Sequence, residues 1–356
     1  MAERPRVAVV HRGRFSGSAP SLIAALAQRV DVEAIDVLPW ARDLRLAPAR
    51  AAAMATARRL PGRPDWSRTV PWSKAVSKRV DADVRRLHPD AVVLVQSYPL
   101  IDNTGVPYAV YTDRTVREGQ RVDPRFLTPT PADWIDREAA VIRGAVRVFT
   151  FGRTAAQSAV DDYGVPAERV EAVGAGPNAT RLPLRARSDC ARLLFVGIDF
   201  ERKGGAVLLD ALPRVRSRLP NVTLTIVGAS PKAVPVGVTV LGRVPPDRVA
   251  VAQRDADLQV LPSLAEPYGI AHVEAILSGL PTIGTTVGSQ AEIIGDAGRV
   301  VPPDDPEALA AAIFDVAAHY DDVVAATLAR RGQMQDRWSW SSVAGRILAG
   351  LGLADG

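Results

Sequence analysis

The sequence predicts an α/β protein made of two units, each built around a parallel β-sheet. Its 356 residues exceed one small domain and suit two domains of about 150 to 200 residues. Short Val-rich apolar runs alternate with helical stretches in both halves, which is typical of parallel βαβ units. Between the halves, residues 173–188 are dominated by Gly, Pro and Arg, and this composition predicts an interdomain linker.

The alternation places the elements of each half in order. In the first half we expect strands at 7–10, 32–37, 91–95, 108–111 and 145–150, with helices at 19–30 and 132–143. In the second half we expect strands at 193–197, 224–228, 238–241, 258–262 and 280–286, with helices at 271–278, from 306 onward and at 343–351. Asp305 is predicted to cap the helix that begins with Pro306.

Three strands of the second half are followed by or end in glycine, at Gly197, Gly228 and Gly242. Glycine at the carboxyl end of a strand lets a ligand approach the backbone closely. Neither Gly197 nor Gly228 begins a Gly-x-Gly-x-x-Gly sequence, which disfavours nicotinamide and flavin enzymes.

The composition is that of a soluble globular protein, with 47% hydrophobic and 23% charged residues. The single cysteine, Cys190, excludes an intrachain disulfide and fits a reducing cytoplasm. No run of 18 apolar residues is present, so no transmembrane helix is expected. The first apolar run, 7–10, is too short for a signal peptide. We therefore expect a cytoplasmic location.

Two glutamates mark the junction between strand 258–262 and helix 271–278. Glu266 lies in the loop and Glu274 lies eight residues later, so both project from roughly one side of the junction. Carboxylates accept from sugar hydroxyls, and free loop amides at a helix N-terminus attract anionic oxygens. The alternative is a glutamate that only complements the helix dipole.

Two adjacent cations, Arg202 and Lys203, follow strand 193–197 and precede the pair Gly204-Gly205. Cations at the start of a helix can neutralise a diphosphate. An ordinary charged helix start is the alternative. Together with the glutamate motif, this arrangement favours a ligand that carries both hydroxyl groups and phosphates.

The segment from Ser263 to Leu309 resembles the donor-binding signature of the family-4 retaining glycosyltransferases of GT-B fold, the glycosyl transferases group 1. The family pattern is Glu, any residue, an aromatic and Gly, then a second Glu. It is matched by Glu266-Pro267-Tyr268-Gly269 followed by Glu274. Most of the resemblance lies within residues 190–318.

The resemblance implies two Rossmann-like domains that face a cleft. Residues 1–178 would bind the acceptor and residues 188–337 the nucleotide-sugar donor, while a terminal helix within 338–356 would cross back to the N-terminal domain. The implied reaction is transfer of a hexose, with retention, from a nucleotide-diphosphate sugar to an acceptor hydroxyl or amine. It implies no resident cofactor.

The resemblance also assigns roles. Glu274 would accept from the ribose, Glu266 would sit by the transferred sugar, and Arg202 and Lys203 would stabilise the departing diphosphate. The other residues expected to bind the donor are Gly197, Gly228, Arg243, Val244 and the amides of Tyr268, Gly269 and Ile270.

On the acceptor side, Asp113 occupies the place where many family members have a histidine. It would accept a proton or hold the acceptor, or it would only cap a turn. The loop after the first strand, with Gly17, is expected to touch phosphate or acceptor. His11 at its start would line the acceptor site or pack at the strand end.

Fixed cations in place of a divalent ion predict a metal-independent enzyme. Asp-Ala-Asp occurs at 81–83 and 255–257, and we interpret both as structural. The four histidines, His11, His88, His272 and His319, are scattered, so no metal site is expected.

Net charge is +5, but residues 41–90 alone hold 12 Arg and Lys against 5 Asp and Glu. This basic block could contact an anionic membrane, which would make the protein peripheral at the inner face of the membrane. The alternative is a solvated helical face. No nucleic-acid-binding motif accompanies the block, so a nucleic-acid partner is not expected.

Two other functions stay open. One is different chemistry on the same scaffold, as in an epimerase or a phosphorylase; the scarcity of lysine, with four in the chain, disfavours the phosphorylase. The other is a non-catalytic sugar-nucleotide-binding protein, which should have lost a sugar-site residue such as Glu266.

Overall fold

The computed structural model describes residues 4–62, 64–122, 129–178 and 190–353. The chain divides into two compact units, Met1–Ala175 with Trp340–Gly356, and Gly176–Ser339. Residues 179–188 of the predicted linker and residues 354–356 of the predicted terminal segment lie outside the described residues.

The first unit contains a six-stranded sheet in which every pairing is parallel. Its strands are β1 (Arg6–His11), β2 (Asp31–Asp36), β3 (Ala91–Val95), β4 (Tyr108–Thr112), β5 (Arg147–Thr150) and β6 (Val170–Ala172). Its helices are α1 (Ser18–Ala27), α2 (Ala47–Arg59), α3 (Val70–Leu87), α4 (Val116–Val122), α5 (Ala132–Gly144) and α6 (Arg153–Asp161). The strand order is β2-β1-β3-β4-β5-β6.

The second unit repeats this architecture. Its strands are β7 (Arg192–Val196), β8 (Thr223–Val227), β9 (Val238–Gly242), β10 (Leu258–Val260), β11 (Thr282–Thr285) and β12 (Gly298–Val301). Its helices are α7 (Gly205–Arg218), α8 (Pro246–Asp255), α9 (Ile270–Leu277), α10 (Gln290–Ile294), α11 (Pro306–Ala318) and α12 (Tyr320–Arg337). The strand order is β12-β11-β10-β7-β8-β9, again parallel throughout.

The last helix, α13 (Trp340–Gly350), belongs to the first unit and packs against α1. Its apolar side buries Val343, Ala344, Ile347 and Leu348. A helical spacing of three and four residues puts these side chains on one buried face of α13.

Buried strands account for the elements that the sequence predicts best. All five residues of β3 are buried, as expected for a Val-rich strand covered on both faces, and its predicted bounds are confirmed. The predicted cap is also confirmed, because the Asp305 carboxylate accepts from the Ala308 N–H at 2.8 Å. The sequence pattern gave no bounds for strands β6 and β12 or for helices α2, α3, α4, α6, α7, α8 and α10.

The order of the second sheet reverses at β7 and β10, which are neighbours although far apart in sequence. At such a switch point the loops after the two strands diverge and leave a crevice at their carboxyl ends. The loop that carries Arg202 and Lys203 follows β7, and the loop that carries Glu266 follows β10. Both predicted loops therefore meet at one edge of the sheet.

None of the helices in the described part of the chain combines the length and the apolar character that spanning a membrane requires.

Candidate active site

The loop that follows β7 lies directly against the loop that follows β10. At Gly204 the backbone is left-handed (φ +71°), and a Cβ there would lie 1.8 Å from the carbonyl oxygen of Pro262. A Cβ at Gly205 would lie 2.2 Å from the ring of Phe200. The glycine pair behind the predicted cations therefore allows the two loops to touch.

Arg202 ties these two loops together. Its carbonyl oxygen accepts from the N–H groups of Leu264 at 2.9 Å and Ala265 at 3.2 Å. Its Nη1 donates to the Ala265 carbonyl at 2.7 Å, and its Nε donates to Asp199 at 3.3 Å. The guanidinium is thus held at the carboxyl edge of the sheet while 26% of the side chain stays exposed, within reach of an anion.

Lys203 and Glu266, which the sequence places in separate motifs, form an ion pair. Their side chains are 12% and 9% exposed. Burial and, to a smaller extent, the Arg202 guanidinium lower the pKa of Lys203 to about 7, whereas contact with the Glu266 carboxylate favours the charged ammonium. Each charge in this buried pair therefore depends on the other.

The N-terminus of α9 forms another part of this edge. Its N-cap residue is Gly269, with a left-handed φ of +107°. The backbone N–H groups of Gly269 and Ile270 have no acceptor among the residues that the structure describes. Tyr268, the third predicted amide, is buried. Free amides at the start of a helix suit an anionic oxygen.

Glu274 lies about one turn after Ile270 on α9. It is half-buried, and its Oε1 accepts from the backbone N–H of Asn178 at 2.9 Å. Glu274, which is predicted to bind the ribose, therefore also holds the backbone at Asn178, near the start of the second unit. Nothing in the sequence signalled this second contact, which joins residues 96 positions apart.

Four predicted donor-binding residues surround one cavity of about 220 Å³ at the ends of β7 and β8. It is lined by Val196, Gly197, Ile198, Val227, Gly228, Arg243, Val244 and Val249. At Gly228 the backbone is left-handed (φ +95°), and a Cβ would lie 2.7 Å from the Gly197 carbonyl oxygen. Glycine at this position therefore allows the segments after β7 and β8 to approach closely beside this mostly apolar cavity.

His272 supports α9 from beneath. It is fully buried; its Nδ1 lies 2.7 Å from Thr282 Oγ1 and its Nε2 lies 2.9 Å from Gln290 Oε1. Burial lowers the pKa of His272 to about 3, so the ring is neutral. Gln290 in turn donates to Thr285 at 2.9 Å. This hydrogen-bond network was not predicted from the sequence. The signal that could have indicated it is the presence of polar residues inside apolar runs.

In the first unit, Asp113 directly follows β4 and lines a second cavity, of about 110 Å³. The cavity lies at the carboxyl ends of β3 and β4 and is lined by Phe15, Arg68, Gln96, Ser97, Tyr98, Thr112, Asp113, Arg114, Thr115 and Val116.

The other two acceptor-side residues shape the loop after β1. The Nδ1 of His11 lies 2.9 Å from the Gly13 carbonyl oxygen and 3.9 Å from Asp36, and His11 is not among the residues that line the 110 Å³ cavity. Gly17 is the left-handed N-cap residue of α1 (φ +90°), and its N–H donates to the Arg14 carbonyl at 2.8 Å.

A buried carboxyl group underlies this cavity. Glu138 is fully buried and accepts from Ser97 Oγ at 2.5 Å, from the Val116 N–H at 3.2 Å and from the Tyr163 hydroxyl. Burial raises the pKa of Glu138 to about 7. Two residues that line the cavity are thus positioned by a group that sequence analysis left without a role.

The Asp-Ala-Asp segments take part in local structure. Asp257 is fully buried and accepts two bonds from the Arg192 guanidinium, at 2.9 and 2.7 Å. Asp81 accepts from the Asn103 N–H at 2.9 Å. Within the described residues, no three or more His, Cys, Asp or Glu side chains cluster as a metal site would require.

Residues 190–319 match the model of a family described as Glycosyl transferases group 1. The matched residues lie within the second unit of this chain. Phosphatidyl-myo-inositol mannosyltransferase of Mycolicibacterium smegmatis is 34% identical over 168 residues, covering 44% of this chain and 43% of that protein. Glycogen synthase of Mycobacterium tuberculosis is 29% identical over 227 residues, covering 58% and 54%. The chain thus matches about half the length of these relatives.

Solved structures extend the likeness in fold to the whole chain. Sucrose-phosphate synthase of Thermosynechococcus elongatus superposes with a TM-score of 0.70 at 19% identity, covering 97% of both chains. The glycosyltransferase WaaG gives 0.68 at 18%, covering 98% of this chain and 100% of WaaG. Anabaena HepE, solved with UDP and glucose, gives 0.65 at 15%, covering 98% and 99%. The chain has the two-domain α/β fold of GT-B glycosyltransferases, and that prediction is confirmed.

Proposed function

We propose that this protein is a retaining, metal-independent glycosyltransferase that moves a hexose from a nucleotide-diphosphate sugar to an acceptor hydroxyl or amine. One observation carries the proposal. The Arg202–Lys203 loop and the Glu266 loop contact each other at the switch point of the second sheet. Fixed cations, a carboxylate and free helix amides there would meet a diphosphate and a sugar together.

The donor would lie along the carboxyl edge of the second sheet. Its base would enter the 220 Å³ cavity beside Gly197 and Gly228, and its ribose hydroxyls would donate to Glu274. The diphosphate would lie near Arg202 and the Gly269 and Ile270 amides, because charge-assisted hydrogen bonds and the helix N-terminus both favour anionic oxygen. HepE has been solved with UDP and glucose, which is in keeping with a nucleotide sugar as donor.

In the reaction, the bond between the anomeric carbon and the diphosphate oxygen breaks as the bond to the acceptor oxygen or nitrogen forms on the same face. The acceptor proton goes to the departing diphosphate. Arg202 and Lys203 would stabilise the negative charge that develops there. As Lys203 turns toward the diphosphate, Glu266 becomes free to accept from a sugar hydroxyl and to stabilise positive charge at the anomeric carbon.

A thermal-shift panel of UDP, GDP, ADP, CDP and dTDP tests the donor site. A nucleotide at 100 times its dissociation constant adds about 2.7 kcal/mol of stability, or a few degrees. We expect one nucleotide to stabilise the wild type and to lose its effect in Glu274→Ala. Glu274→Gln keeps an acceptor for the Asn178 N–H, so it separates a lost ribose contact from a local structural change.

Glu307→Ala is the matched control, because Glu307 is 75% exposed and its ion pair with Arg214 lies on the surface. Wild-type protein that no nucleotide stabilises, with or without Mg²⁺, would refute the proposal. Stabilisation without release of nucleoside diphosphate from the corresponding sugar donors would instead favour the non-catalytic binding protein.

A second proposed property is docking on an anionic membrane through part of the basic block. Two apolar side chains of the block face solvent, Leu44 and Met54, which are 82% and 39% exposed, and Leu38 just before the block is 48% exposed. Exposed cations surround them in sequence, at Arg42, Arg45, Arg58 and Arg59. Exposed apolar side chains interspersed with cations suit the interface of an anionic bilayer. The name of one relative, phosphatidyl-myo-inositol mannosyltransferase, includes a lipid.

Co-sedimentation with vesicles tests this docking. We expect binding to vesicles that contain phosphatidylglycerol but not to pure phosphatidylcholine. Leu44→Ser with Arg45→Gln should weaken binding about tenfold, since each cation near the surface contributes about 1 kcal/mol. Arg143→Gln, in the last turn of α5, is the control. Equal binding by both variants, or no binding by the wild type, would contradict the idea.

A further inference from the structure

The 110 Å³ cavity of the first unit has the features of a built binding site. It would hold three to four water molecules at about 30 Å³ each, so it fits a small polar head rather than a nucleotide. Its walls come from the ends of β3 and β4, the loop after β1 and the start of α4. Ligands of parallel sheets bind at this edge.

Backbone strain is concentrated in the walls of this cavity. Phe15 and Gln96 both have left-handed φ angles, +44° and +81°, and both line the cavity. Such angles are unusual for residues without a turn-forming side chain, and strained residues cluster at ligand sites. Of the other described non-glycine residues with positive φ, His88 caps the end of α3 and Asp304 lies just before α11.

The Gln96 side chain presents an unsatisfied acceptor. Its Oε1 is buried and has no hydrogen-bond partner among the described residues. A buried carbonyl oxygen without a donor is costly. A ligand hydroxyl would supply the missing donor, and Asp113 on the neighbouring strand end offers a second acceptor for it.

Apart from Asp113, the charged residues that line this cavity are cationic. Arg68 and Arg114 line the cavity together with the single carboxylate of Asp113. A third guanidinium, that of Arg12, lies 5.2 Å from the centre of the Tyr98 ring, and Arg68 lies 5.6 Å from the same ring. Guanidinium groups bind phosphate and carboxylate through paired hydrogen bonds.

We infer that this cavity binds an acceptor that carries an anionic group, phosphate or carboxylate, beside the hydroxyl that receives the sugar. The anion lies against Arg68 and Arg114, and the hydroxyl donates to Gln96 Oε1 or Asp113. This inference rests on the proposed glycosyltransferase function and names the acceptor class for it.

A matched ligand series tests the inference by calorimetric titration of the whole protein. The probes are glycerol 3-phosphate, glycerate and uncharged glycerol. We expect saturable binding of at least one anion and none of glycerol. Arg114→Gln should weaken anion binding about tenfold or more, as expected for a charge-assisted hydrogen bond, and Gln96→Leu, which removes the acceptor, should weaken it about fivefold.

Arg143→Gln is the control, because Arg143 lies at the end of α5 just before β5 begins, at the opposite edge of the sheet. Vesicles that contain phosphatidylinositol form a second arm. An Arg114 effect only in that arm assigns the anionic group to a lipid headgroup, and an effect in the soluble arm assigns it to a free acceptor.

Binding that is absent in both arms up to about 10 mM, or that is unchanged in Arg114→Gln and Gln96→Leu, overturns the inference. The nucleotide panel reports separately on the second unit. Nucleotide stabilisation without anion binding would leave the glycosyltransferase proposal standing and remove only this acceptor class.

Discussion

Glu266→Gln should destabilise the protein because it leaves Lys203 buried without its carboxylate. Burial and, to a smaller extent, the Arg202 guanidinium lower the pKa of Lys203 to about 7, against 10.5 for an unperturbed lysine, and Glu266→Gln removes the carboxylate that favours the charged ammonium. A difference of about 3.5 pKa units at 1.36 kcal/mol each is about 5 kcal/mol at low pH. This agrees with the 3–5 kcal/mol that follows when one partner of a buried ion pair is removed.

The loss should depend on pH in one direction. Burial still lowers the pKa of Lys203 in the folded variant, so between about pH 7 and 10.5 the unfolded chain holds this proton more firmly than the folded chain does. The unfolded state therefore binds more protons, and the stability of the variant rises with pH over this range. The destabilisation should be full below pH 7 and should shrink steadily as the pH approaches 10.

Thermal melting of wild type and variants at pH 6.5, 8 and 9.5 measures this effect. At 2–4 °C per kcal/mol for domains of this size, we expect Glu266→Gln to lower the melting temperature by about 10 °C at pH 6.5 and by clearly less at pH 9.5. Lys203→Met combined with Glu266→Gln should recover most of the loss at every pH, since no buried charge remains. A loss that is the same at all three pH values, or a double variant no more stable than Glu266→Gln, would refute this reasoning.

Two further substitutions test other parts of the fold. Gly204→Ala should lower stability by about 3 kcal/mol or more, because its Cβ would lie 1.8 Å from the Pro262 carbonyl oxygen at a φ of +71°. Gly332→Ala, with open space around its Cβ within α12, should instead add up to about 1 kcal/mol; equal effects in urea unfolding would contradict the loop geometry. For Glu138, the folded pKa of about 7 lies above the usual 4.5, so the stability this group contributes at low pH is lost as the pH rises through 7. The free energy of unfolding of Glu138→Gln, relative to that of the wild type, should therefore rise by about 2 to 3 kcal/mol between pH 5 and pH 8. A difference in melting temperature between variant and wild type that stays constant over this range would exclude this.

Strands and motifs could be read from the sequence where the information is local. The five residues of β3 are all apolar, and Glu266 to Glu274 fall within one loop and one helix. The contact of Lys203 with Glu266 needs β7 to lie beside β10, and no local pattern encodes that pairing. The family resemblance, rather than the spacing of single residues, placed the two motifs at one site.

The 110 Å³ cavity of the first unit was harder to predict for a different reason. Phe15 and Gln96 adopt left-handed backbone angles, but neither is a residue type that marks such a turn. Glu138 resembles an ordinary charged residue of an amphipathic helix until Ser97 and Tyr163 are placed beside it. Long-range packing decides these features, so the sequence indicated Asp113 but not the other residues that line the cavity with it.

If the protein acts as proposed, the Lys203–Glu266 pair would also bear on selectivity and turnover. While Lys203 and Glu266 are paired, their charges cancel. The electrostatic potential that attracts a small anion to this edge is therefore less positive than the Arg202–Lys203 sequence suggests. A diphosphate that draws the ammonium away must supply the energy of separation, and this weakens its own retention. After release of the proposed diphosphate, Lys203 and Glu266 would pair again, and the renewed cancellation of their charges would favour release.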